Sequence, residues 1–281
     1  MGAAAVRRRL LSVLLVALAV SACSGGSSPS AATAVASAAS SPARAVELQV
    51  YAGASLTSAL DKVKTAYEAA NPGITLTIST DSSTALETKI EQGAPADVLL
   101  SADTANPQKL VDKGLASGSM TLFAGNKLTV IVPTGNPAGI AAPQDLARAG
   151  VKVIACTDGV PIQKYTALWL DKVKALPAYG ADFPARYAAN VVSREDNVSG
   201  IVTKVGLGEG DAGVVYVSDA KTSDKVATID IPDAENVSAS YGGVVVKASP
   251  NQSAAAAFLG WLAGPDGQAI LAAFGFLAPS R

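Results

Sequence analysis

The chain has 281 residues, a formal net charge of −1 and no histidine. The near-zero charge, with no basic run beyond Arg7-Arg8-Arg9, argues against a nucleic-acid partner. The lack of His removes Ser-His-Asp and Cys-His catalysis and His-based metal sites.

Taken in order, Arg7-Arg8-Arg9, the apolar run Leu10 to Val20 and the closing Val20-Ser21-Ala22-Cys23 form a secretory signal over residues 1–23, too short to span a bilayer. The closing four residues resemble a bacterial lipobox, which implies lipidation of Cys23 and a tether to the outer face of a membrane. The alternative is an ordinary cleaved signal with an incidental Cys. Residues 24–45 are Ser, Ala, Gly and Pro with hardly a large apolar side chain, and read as a flexible tether. With Cys23 lipidated, Cys156 has no disulfide partner and is expected to end a buried strand as a small apolar residue.

From residue 46 onward short apolar or β-branched runs alternate with helical patterns. Strands are expected at Val46–Tyr51, Ile74–Ser79, Val98–Ser101, Leu128–Val132, Val151–Cys156, Gly213–Val217 and Tyr241–Val246. This alternation predicts βαβ units and an α/β fold. Asn71-Pro72-Gly73 stops the first helix. Two last helices, Ala254 to Leu262 and Gln268 to Phe274, are expected to be broken by Gly264-Pro265-Asp266-Gly267.

Four strand-to-helix turns and one strand end carry the chemistry. Tyr51-Ala52-Gly53-Ala54-Ser55-Leu56-Thr57 runs from a strand into a helix face of Leu56, Leu60, Val63 and Tyr67. Ser55 there is either a plain cap or a hydroxyl at an anion-binding helix start. Thr80-Asp81-Ser82-Ser83-Thr84 repeats the pattern; Thr84 to Glu87 fits a capping box but leaves Ser82 and Ser83 unexplained. In Thr157-Asp158-Gly159-Val160-Pro161-Ile162, Pro161 opens a helix and Ile162 offers only its backbone N–H. In Arg194 to Gly200, Asp196 or Asn197 caps a helix and the N–H of Val198 is free near its start. Tyr216, near the end of a buried strand, is either core or a phenol aimed into a cleft.

These stretches, in this order, resemble the molybdate-binding proteins of bacterial ABC importers, within the type II periplasmic-binding-protein class. The resemblance also rests on Glu91-Gln92-Gly93-Ala94-Pro95-Ala96-Asp97-Val98-Leu99-Leu100-Ser101-Ala102-Asp103, Gly125 to Val130, Gly213 to Ala220 and Gly264-Pro265 with Phe274-Gly275-Phe276, and it covers nearly all of residues 46–281. It implies a two-lobed α/β fold, each lobe a mostly parallel sheet flanked by helices, with two hinge crossings. Lobe 1 would be 46–127 plus 220–281, and lobe 2 would be 128–219.

The resemblance further implies an oxyanion held by Ser55, Ser82, the N–H groups of Ile162 and Val198, and Tyr216, with Ser83 the alternative to Ser82. It implies no cofactor, a ligand of molybdate or tungstate, and a partner permease with its ATPase. A monomer is expected. A tetrahedral dianion is a pure acceptor, so hydroxyls and helix-start N–H groups suit it without any Lys or Arg. Two other readings stay open: a binder of another anion such as sulfate, or of iron, and a secreted enzyme using Asp97 and Asp103 near Ser101. The second lacks a base beside a nucleophile.

Overall fold

The computed structural model describes residues 45–279, so the expected signal, the tether and Cys23 lie outside the described residues. Strand β1 (Val46–Gly53) buries Leu48, Val50 and Ala52 and leads through a single 3-10 turn, Ala54–Leu56, into helix α1 (Thr57–Ala70). The face anticipated from spacing, Leu56, Leu60, Val63 and Tyr67, is fully buried. Gly73, at φ 95°, makes the turn that ends the excursion, a conformation only glycine adopts freely.

There follow β2 (Ile74–Asp81), α2 (Ser83–Glu91), β3 (Val98–Ser101), α3 (Ala105–Asp112) and the long strand β4 (Thr121–Pro133). Next come β5 (Val153–Cys156), α4 (Pro161–Val173), α5 (Phe183–Ala189), β6 (Val191–Glu195), α6 (Val198–Gly206), β7 (Ala212–Tyr216) and the short α7 (Val217–Ala220). The chain closes with β8 (Val226–Asp230), β9 (Ser238–Val245), α8 (Gln252–Ala263) and α9 (Pro265–Ala273).

The strand order is β2-β1-β3-β9-β4-β7-β5-β6, with β8 also on β4. Strands β2, β1 and β3 pair in parallel, as do β6, β5 and β7. The linking strands are antiparallel, so each parallel set carries an antiparallel edge. Strand β4 belongs to both sets. Its first half, Thr121 to Lys127, pairs with β9, while Leu128 to Pro133 pairs with β7 on one side and β8 on the other. One continuous strand thus joins two sheets, and this is the two-lobed α/β architecture anticipated from sequence.

Several details differ from expectation. Leu128–Val132 is only the second half of a strand of 13 residues; its first half, with Gly125, Asn126 and Lys127, had no uniform apolar pattern. Strands β6 and β8 were not anticipated, because both are half-exposed edges carrying polar residues. The pairing of β8 with Thr129 to Pro133 places Val226–Asp230 on the second sheet, although 220–281 had been assigned to lobe 1. Helices α8 and α9 are separated by Gly264 alone, with Pro265 at the first position of α9, where a missing N–H costs nothing.

Gly267 sits at the closest approach of α8 and α9. A Cβ there would lie 2.3 Å from the carbonyl oxygen of Leu262 and 2.5 Å from its Cα. Gly267→Ala is expected to destabilise the fold by about 1–3 kcal/mol through overpacking against backbone. Chemical denaturation measures it, and a variant as stable as the wild type would contradict this reading of the α8–α9 contact.

Candidate ligand-binding site

Every turn singled out above lies at the carboxyl end of a parallel strand: Ser55 after β1, Ser82 after β2, Ile162 after β5, Val198 after β6 and Tyr216 at the end of β7. Open α/β sheets offer their ligand crevice at this edge. The structure brings all five residues, and Ser83, to one small cavity, which Ala54, Ala102, Val160, Pro161 and Asn197 complete. No residue of the lining is acidic or basic.

Helix starts supply its donors. The first N–H groups of a helix have no partner within it. In α4 the residue at the first position is Pro161, and the N–H groups of Gln163 and Lys164 return to the carbonyl of Val160, which leaves Ile162 as the first N–H facing outward. In α6 the cap is Asn197, whose side chain accepts from the Gly200 N–H at 3.3 Å, so the N–H of Val198 opens the helix. In α2 the cap is Ser82, whose Oγ accepts from the Ala85 N–H at 3.2 Å. This replaces the capping box expected at Thr84 and Glu87. Thr84 instead donates to the carbonyl of Gly159 at 2.8 Å, and Glu87 pairs with Lys109 at 3.5 Å.

The hydroxyls have defined roles. Ser82 accepts one N–H and retains its hydrogen for the cavity. Ser83 does likewise, accepting from the Ala102 N–H at 3.0 Å. Gly53 makes room for that contact, since a Cβ there would lie 2.7 Å from Ser83 Oγ. Tyr216 Oη lies 3.5 Å from the carbonyl oxygen of Ala102, too long for a strong bond, and its phenol stays protonated because burial raises its pKa well above the ordinary value.

Sequence reasoning missed Tyr241. Its Oη lies 3.0 Å from Ser55 Oγ and 3.4 Å from Asn126 Nδ2, and the amide also donates to Ser218 Oγ at 2.8 Å. Asn126 can only donate through that nitrogen, so Tyr241 accepts from it; between Tyr241 and Ser55 either hydroxyl can donate, and with Tyr241 as donor the Ser55 hydrogen is free for the cavity. Strand β9 showed only an apolar run at Tyr241, and no local signal tied it to a serine 186 positions away.

Cys156 is buried and unpaired at the end of β5, as anticipated, and burial holds its thiol protonated. Ser101 Oγ donates to Asp103 at 2.9 Å and Asp97 accepts from the Gln49 N–H at 2.7 Å, so these carboxylates are tied into the structure.

A family model described as bacterial extracellular solute-binding protein matches residues 48–277. The chain belongs to this family. Among curated relatives of this solute-binding protein, the molybdate-binding protein ModA of Mycobacterium tuberculosis is 35% identical over 275 residues, covering 96% of this chain and 97% of the relative. Among solved structures, the periplasmic molybdate-binding protein of Azotobacter vinelandii superposes with a TM-score of 0.70 at 24% identity, covering 83% of this chain and 100% of that one. The sulfate-binding protein SubI of Mycobacterium tuberculosis superposes with a TM-score of 0.74 at 22% identity, covering 82% of this chain and 86% of that one. These two likenesses establish the periplasmic-binding-protein fold.

Beside the cavity, Asp219 in α7 accepts the N–H of Tyr216 at 3.1 Å. Burial lifts its carboxyl from 3.8 to about 7, and the Tyr216 bond offsets only part of this. The folded chain therefore holds a proton on Asp219 where the unfolded chain does not. Stability contributed by this group falls as pH rises from about 4 to about 7. Asp219→Asn, which keeps an acceptor for Tyr216, is expected to melt above the wild type at pH above about 7, with the advantage vanishing below about pH 4. Thermal unfolding across that range checks it; an advantage that does not change with pH would contradict the burial assignment.

Proposed function

We propose that this solute-binding protein captures molybdate or tungstate outside the cytoplasm and delivers it to an ABC permease with its ATPase. The observation that carries the reading is the lining of the cavity: hydroxyls and helix-start N–H groups, with no charged side chain. The donors are the hydroxyls of Ser55, Ser82 and Tyr216 and the N–H groups of Ile162 and Val198, with Ser83 as a second hydroxyl at the same helix start. Each bond to a charged oxygen contributes about 1.5–3 kcal/mol, so several together support tight binding despite desolvation. The positive ends of α2, α4 and α6 spread the remaining charge compensation. The names of the curated ModA relatives agree with this ligand, and the fold likeness to a sulfate-binding protein makes sulfate the competing oxyanion.

The reading is of a binder without a catalytic step and without a cofactor. Its lobes are 46–127 with the chain from β9 onward, and 128–230, the division supported by strand pairing; they close on the ligand about the crossings flanking Asn126 and Asn236. The protein acts as a monomer, held to the outer face of the membrane through a lipid on Cys23. No helix among the described residues is long and apolar enough to cross a membrane.

Calorimetric titration with molybdate, tungstate, sulfate and phosphate is expected to show submicromolar binding of the first two only. Ser55→Ala should weaken molybdate about ten- to a hundredfold, as loss of one charge-assisted bond implies. Tyr241→Phe should cost a smaller factor, because it frees Ser55 to turn away while leaving its hydroxyl. Sulfate binding as strongly as molybdate would overturn the ligand, and a Ser55→Ala variant of full affinity would overturn the site.

A further inference from the structure

The segment Gly159–Tyr165, which opens α4, makes polar contacts to separate elements of the first sheet on either side of Ile162. The carbonyl of Gly159 accepts from Thr84 Oγ1 in α2 at 2.8 Å. Lys164 Nζ lies 3.0 Å from Asp103 Oδ2, just after β3. Tyr165 Oη accepts from the Ser240 N–H at 3.1 Å and lies 3.3 Å from the Ser240 carbonyl, in β9. Strand β3 ends its pairing with β9 at Gly242, and Tyr165 meets the backbone of β9 two residues away, at Ser240.

Lys164 is out of place on local grounds. A cation in the first turns of a helix opposes the helix dipole, and the start of α4 carries a free N–H at the cavity. Its partner explains it. Asp103 adjoins Ala102, which lines the cavity, and its side chain is only 5% exposed. A buried carboxylate beside an anion site repels the ligand unless a cation offsets it. Asp103 also accepts from Ser101 Oγ at 2.9 Å, the Asn106 N–H at 3.0 Å and Asn106 Nδ2 at 3.0 Å, all within its own sheet's elements. When Lys164 withdraws, Asp103 keeps these partners, and Lys164, 36% exposed, passes readily into water. The pair therefore breaks without stranding a group that has no partner, the event that makes most buried ion pairs costly to open.

We infer that Lys164 is the positioning residue of a clasp formed by Gly159–Tyr165: by pairing with Asp103 across the cleft it cancels the carboxylate beside the cavity, seats the Ile162 N–H on the anion and sets how long the closed form retains it. The inference rests on the oxyanion reading above. Neither Lys164 nor Asp103 lines the cavity, so the pair predicts a change in retention without a change in selectivity.

The test uses the mature chain and molybdate, with stopped-flow dissociation and small-angle scattering of the loaded protein. Lys164→Met is expected to raise the dissociation rate about tenfold, because Asp103 then stands uncancelled beside the bound anion, with the association rate and the preference over sulfate little changed. Asp103→Asn combined with Lys164→Met should recover most of the loss, because both charges are then gone. Lys164→Arg should stay near the wild type. Scattering should show a larger radius of gyration for loaded Lys164→Met than for loaded wild type. A wild type that binds molybdate with a Lys164→Met variant that releases it at the same rate overturns the clasp alone. A wild type that binds no oxyanion overturns the functional reading and the clasp with it. A double variant as impaired as the single one overturns the charge-cancelling role of the pair.

Discussion

Taking an anion out of water without a cation beside it demands dipoles fixed in advance. The arrangement of this protein follows from that demand. Parallel strands all end on the same side of a sheet, so the helices that follow them start there, with unpaired N–H groups pointing outward. Two such sheets facing one another bring the starts of α2, α4 and α6 and the 3-10 turn at Ser55 to a single cavity. The side chains at these starts are short: Ala54, Ser55, Ser82, Ser83 and Ala102 let backbone approach the cavity closely, and Gly53 leaves the space that Ser83 occupies.

The two sheets are joined by β4, which pairs with β9 in its first half and with β7 and β8 in its second. The switch between them is held by asparagines. Asn126 binds Ser218 and Tyr241, while Asn236 brackets Leu128, accepting its N–H at 3.1 Å and donating to its carbonyl at 2.8 Å. Amide side chains satisfy backbone where ladder pairing changes partner, and all of these groups are buried. Through Tyr241 the same network reaches Ser55. The hydroxyl on one side of the cavity is thus oriented from the place where the two halves of the molecule meet.

Much of the site was legible because its signals are local. A short apolar run, small residues, a hydroxyl and then a helical period mark the turns that hold Ser55 and Ser82, and Pro161 and Asn197 mark the other helix starts. The assignment of ligand roles and the choice of Ser82 over Ser83 rest on the family resemblance. What was not legible depends on pairing across long separations. Tyr241 stood only as the first residue of an apolar run, Thr84 fitted a capping box but reaches Gly159, and nothing local marked Lys164, which meets Asp103. The edge strands β6 and β8 were missed because their polar, half-exposed residues carry no hydrophobic period. The first half of β4 was missed because its glycine and asparagine are there for the crossing, not for strand propensity.

The central claim is that an uncharged cage of hydroxyls and helix starts holds the ligand. A crystal structure of the molybdate-loaded protein, with anomalous scattering at the molybdenum edge, tests it most directly. The account predicts one molybdenum peak inside the cavity, its oxygens within hydrogen-bonding distance of Ser55, Ser82, Tyr216 and the N–H groups of Ile162 and Val198, with no Lys or Arg in contact. A peak outside this cavity, or one coordinated by a basic side chain drawn in from the rim, would contradict it.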